Sequence, residues 1–64
     1  MSGLPENERF GLPDGYAENS EKALDVLIRH GEVEAARIFV AERRDKYPAY
    51  GAHLAEKYAA ELAR

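Results

Sequence analysis

Between Gly31 and Pro48 lies a helical segment whose apolar residues do not keep to one side. At about 100° per residue, Val33, Ala36, Val40 and Tyr47 form its main stripe, with Phe39 at the edge. Ile38 points nearly the opposite way, flanked by Ala35 and Ala41. A helix that is apolar on more than one side is one that a fold covers on both. The 33–47 segment must therefore be buried twice over, and that requirement governs the reading of the rest.

The chain has little with which to do it. Its 64 residues allow one domain, and a domain of this size buries only about 60% of the surface its unfolded chain exposes. Small folds make up the shortfall with disulfides, a metal or a partner. Cysteine is absent, which removes disulfides and thiolate metal sites together. His30 and His53, the two histidines, lack the close spacing of zinc ligands. No cofactor or metal is expected. What remains is association, with a second copy or with another protein.

Local signals divide the rest into helices. Asn19 or Ser20 is expected to cap a first helix over about 20–30, with Glu21 in its first turn. Ala23, Leu24, Val26, Leu27 and Ile28 give it a broad apolar face, and Asp25 pairs with Arg29 on the other. Gly31 supplies a left-handed stop, and the second helix follows over 33–47. Pro48 lacks an N–H and keeps Tyr47 out of the α region, so it either kinks one long helix or separates two. It suits the start of a helix over about 49–63. There Tyr50, Leu54, Tyr58 and Leu62 form one stripe; Ala52, Ala55, Ala59 and Ala63 form a neighbouring stripe of small side chains. The expected fold is all-α: a small antiparallel helical hairpin or three-helix bundle over residues 19–64.

Residues 1–18 are expected to form an irregular arm. Gly3, Pro5, Gly11, Pro13 and Gly15 break regular structure there, and Leu12-Pro13-Asp14-Gly15 is a strong turn signal. Leu4, Phe10, Leu12 and Tyr16 are its spaced apolar anchors. The arm folds back on the helices or simply frays, or else it embraces a partner. The net charge of −3 falls within residues 1–19, leaving 20–64 neutral. That is not the basic field of a protein that grips phosphates, so nucleic acid is not an expected partner. No apolar run approaches the ~20 residues that span a bilayer. The start, Met1-Ser2-Gly3-Leu4-Pro5-Glu6, has neither the basic and apolar regions of a secretory leader nor the glycine of a myristoylation site. A cytoplasmic protein is expected.

Candidate chemistry is sparse. Arg43, Arg44 and Lys46 beside Tyr47 and Tyr50 are the residue types of a stacking nucleic-acid patch. They also occupy the last turn of the second helix, where bases complement the dipole, while Glu32 and Glu34 stand at its start. His30 has the same place at the end of the first helix. The serines are Ser2 and Ser20, and no nucleophile–base constellation surrounds them, so catalysis is not expected. Ile38, Phe39, Ala41, Tyr47, Tyr50 and Tyr58 are the expected partner-binding residues, tyrosine offering large contact area at low entropic cost.

Aligned on Gly31, Ala36 and Pro48 fall where a tetratricopeptide unit places its second-helix alanine and its closing proline. Val40 takes the aromatic position, and Ala23, Leu24 and Leu27 take first-helix positions; Ser20 stands where the tryptophan would be. About half the chain thus resembles one degenerate unit of that family, with no second repeat after Pro48, and the resemblance implies a protein-interaction surface. A ribbon-helix-helix repressor is the competing resemblance: it would draw a DNA-reading strand from Arg9 to Tyr16, a stretch with one base, two glycines and a proline.

Together these readings point to a non-catalytic protein-binding or assembly module, a small homodimeric regulator or adaptor. A small DNA-binding regulator, or the acidic partner of a toxin-like protein, is the alternative.

Overall fold

A computed structural model of the chain describes residues 5–63. Among them are five helices and no strand: α1 (Glu6–Arg9), α2 (Tyr16–Arg29), α3 (Val33–Lys46), α4 (Pro48–Lys57) and α5 (Ala59–Leu62). The all-α class is as the periodicity indicates. No described helix is long and apolar enough to cross a membrane.

The turn between α2 and α3 follows from Gly31. Its φ of 74° lets Glu32 N–H reach the Leu27 carbonyl at 2.8 Å and Gly31 N–H reach Ile28 at 3.1 Å, a Schellman closure. Gly11 ends α1 in the same way at φ 64°, with Leu12 N–H on the Asn7 carbonyl at 2.7 Å. Residues 9–16, which a ribbon-helix-helix fold would need as a strand, are instead the end of α1, two turns and the first residue of α2.

The first long helix begins at Tyr16, earlier than Asn19 or Ser20 would set it. Its cap is not local. Asn7 Oδ1 accepts the Ala17 N–H at 2.8 Å from ten residues upstream, so the helix extends back to meet the arm. Ser20 becomes a buried residue close to the Tyr50 hydroxyl. The arm is therefore folded back rather than irregular: Leu12 is buried and Phe10 and Tyr16 pack on the core. Leu4 lies outside the described residues.

At Tyr47 (φ −133°, ψ 84°) the chain leaves α geometry, as the following proline demands, and Pro48 opens α4 at its first turn. Pro48 thus separates two helices instead of kinking one. The expected 49–63 helix has a bend of its own at Tyr58 (φ −108°, ψ 21°), where α5 follows α4. The ladder continues through it, Tyr58 N–H to Leu54 at 3.0 Å and Leu62 N–H to Tyr58 at 2.9 Å, and both Tyr58 and Leu62 stay against the core.

Leu24, Tyr50 and Leu54 are wholly buried, and Leu12, Ala17, Ala36 and Val40 complete the core. The tightest place is where α4 crosses α3: a Cβ on buried Gly51 would overlap the backbone of Arg44. Elsewhere in a helix, Gly→Ala gains about 1 kcal/mol in propensity. At 51 the overlap outweighs that gain, because backbone on backbone has no soft direction in which to yield. Gly51→Ala is expected to lower stability by roughly 1–3 kcal/mol, the usual range for overpacking. Urea unfolding followed by circular dichroism would measure it, and a raised midpoint would contradict the close approach.

Candidate functional site

Two places in the fold hold side chains arranged for more than packing. The first joins α1, α2 and α4. His53 Nε2 lies 2.7 Å from Glu6 Oε2; Lys57 Nζ donates to Glu21 Oε1 at 2.7 Å and lies 3.5 Å from Glu6 Oε2. The Phe10 ring stands 5.2 Å from the His53 ring and 5.6 Å from Tyr50, closing the cluster from the arm side. Glu21 Oε2 is buried against the Glu6 carboxylate with no donor facing it.

The two carboxyl groups divide their protons accordingly. The hydrogen bond from Glu21, then His53 and the Lys57 charge, holds Glu6 down to about 2. Burial, then the neighbouring Glu6 charge, pushes Glu21 above the usual carboxylate range. Lys57 is raised, chiefly by its bond to Glu21. The cluster fastens the arm to the helices. Among the described residues no three His, Cys, Asp or Glu side chains are placed to hold a metal ion.

The second place is the outer face of α3. Ile38 is 55% exposed, the largest exposure of any big apolar side chain among the described residues. Beside it, across Ala41, an open apolar groove runs between α3 and α4–α5. Arg37, Ala41 and Arg44 form one wall, with Ala55, Ala59 and Leu62 on the other. Arg37 Nε donates to the Leu62 carbonyl at 2.8 Å and fixes α5 against α3 at one end; its guanidinium also meets Glu34 at 3.6 Å. Ala41 and Asp45 border both the groove and the Ile38 patch.

Of the six expected partner-binding residues, the structure brings Ile38 and Ala41 together on this face. The others turn inward to different degrees. Tyr50 is wholly buried, so its place on a partner surface is corrected: its hydroxyl donates to the Ala17 carbonyl at 3.3 Å, and burial raises its pKa. Phe39 is half-buried under the Arg43 guanidinium, 4.6 Å from its ring centre. Tyr47 is half-buried with its ring edge-on to Tyr16 at 5.0 Å, and Tyr58 is half-buried against the core. Arg43 also lies over Tyr16 at 5.5 Å, so the base at the centre of the Arg43–Lys46 run stacks on its own chain.

The groove itself was absent from the expected site, although the Ala55–Ala59–Ala63 stripe was its signal in the sequence. No family model, curated protein or solved structure matches the chain.

The acid cluster makes a prediction about pH. Glu21 has a folded pKa above its unfolded value, so its contribution is fully present below about 4.5 and is lost as pH rises through the folded value. Glu6 has the reverse shift, and its contribution is lost as pH falls from about 4.5 towards 2. Thermal unfolding of the wild type minus that of Glu21→Gln should therefore grow more favourable on acidification from neutral pH to about 4.5. A difference that stays flat over that range would sink the carboxyl–carboxylate contact.

Proposed function

We propose that the chain is a non-catalytic assembly module, a small regulator or adaptor that associates with a second copy of itself through the outer face of α3. The observation that carries this reading is Ile38, left exposed on α3 by the described residues, beside an apolar groove of its own. A protruding apolar side chain and an open apolar recess on one face make that face self-complementary, which is what a two-fold homodimer requires. The resemblance of the α2–α3 region to one tetratricopeptide unit, a family of protein-interaction repeats, points the same way. The inward turn of Arg43 favours protein over nucleic acid as the partner.

Sedimentation equilibrium across about 1–500 µM tests the proposal, since association follows mass action. The wild type is expected to form a dimer over that range, and Ile38→Glu to remain monomeric with its helical signal and unfolding temperature at low concentration unchanged. A wild type that stays monomeric throughout overturns it, as does an Ile38→Glu chain that dimerises normally.

A further inference from the structure

We propose that the N-terminal segment from Glu6 to Leu12 is a proton-controlled strap, closed over the α2–α4 side of the core in mild acid and opening as the pH rises. It closes on side chains alone. The Gly11 and Leu12 N–H groups bond within the segment, to the carbonyls of Glu8 and Asn7. Among the described residues, no backbone–backbone hydrogen bond joins residues 5–12 to α2, α3, α4 or α5. What crosses to the helices is the Asn7 cap on Ala17, the Glu6 contacts to His53 and Lys57, and the apolar side chains of Phe10 and Leu12. An isolated helix below about 12–15 residues is marginal in water, and α1 spans only four, so the strap keeps its shape by docking. Gly11 and Gly15, both at positive φ, stand where it joins α2.

The charge that meets Glu6 sets the direction. Its carboxylate faces Glu21 from α2 and His53 and Lys57 from α4, and Glu18 borders the same notch. With His53 protonated and Glu21 neutral, these partners present two positive charges, on His53 and Lys57. With the imidazole neutral and Glu21 ionised they present none, since Glu21 cancels Lys57. Both titrations therefore weaken docking in the same direction. Histidine is the side chain whose charge ordinarily changes near neutral pH. Burial, then Glu6 itself, lifts Glu21 above the usual carboxylate range, and opening takes Glu6 away. A group raised in the closed state contributes fully below about 4.5 and loses that contribution as the pH rises through its closed-state value. Glu6 is held down to about 2 by Glu21, His53 and Lys57, so the strap keeps its own charge from mild acid upward. Lys57 is raised, chiefly by Glu21, and burial raises the Tyr50 and Tyr58 phenols that face Glu21, so these three keep their protons. An open strap bares the Tyr50 ring, on which Phe10 lies at 5.6 Å, an apolar site separate from the Ile38 face.

Amide hydrogen exchange, read residue by residue by NMR, tests the strap, because protection factors divide out the intrinsic pH dependence of exchange. The Ala17 N–H, which Asn7 of the strap caps, reports opening, and the N–H of buried Val40 reports unfolding of the core. Ala17 is expected to be less protected than Val40 throughout, with the helical circular dichroism unchanged. Its protection is expected to fall about tenfold from about pH 5 to about pH 8, the change that a one-unit difference in pKa between closed and open states carries. The double variant Glu21→Gln with His53→Gln leaves one positive charge facing Glu6 at both pH values, and its Ala17 protection is expected to stay level. Glu6→Gln changes the strap alone, leaves the α2–α4 core as it is, and is expected to lose the pH dependence too. Wild-type Ala17 protection that is level with pH overturns the proposal, as does a fall that survives in either variant. Equal protection at Ala17 and Val40 also overturns it, because the segment would then open only with the whole fold.

Discussion

The crossing of α3 and α4 at Arg44 and Gly51 is the constraint on which the rest of the molecule depends. Pro48 turns the chain back after α3, and the glycine three residues later lets the two backbones touch. Any larger residue there would separate the helices, and the chain is too small to refill the gap. With the crossing made, Tyr50 and Leu54, on either side of Gly51, are driven under Leu24 and become the centre of the core. The same crossing creates the groove, because the alanine stripe beyond Gly51 cannot fill the space between α3 and α5.

The N-terminal segment is held by four different interactions. Phe10 and Leu12 add apolar area, Asn7 caps α2, and Glu6 pairs with His53 and Lys57. Each is modest alone; capping, for example, is worth about 1 kcal/mol. Acting on a stretch of only some ten residues, they turn a run of breakers into part of the domain. The arrangement buries the Glu21 carboxyl beside the Glu6 charge, and the raised pKa of Glu21 is the electrostatic cost of bringing Glu6 so close.

How much of this was legible depended on the range of the interaction. Gly31, the Leu12–Gly15 turn, the Asp25–Arg29 pair at 2.9 Å and the helix restart at Pro48 all arise within a few residues, and the sequence displays them directly. The start of α2 was misplaced because Asn7 supplies the cap from the preceding helix, which no local rule can see. Tyr50 looked like Tyr47 and Tyr58, since all three recur near helical spacing. Only the crossing angle of α4 decides that one ring goes wholly inside while two stop at the margin. Ile38 was legible as the residue on the wrong side of α3; that the rest of the chain leaves it uncovered was not.

The sequence by itself determined the helical class, the turns and the two-sidedness of α3, because periodicity and glycine or proline backbone preferences act residue by residue. Tertiary structure decided which of the two sides of α3 the chain covers. The arm, α2 and α4 all gather on the side of Ala36 and Val40, since that side adjoins the Gly51 crossing where backbones come closest. Ile38 and Ala41 lie away from it, and the described residues, gathered on the one core, leave both exposed.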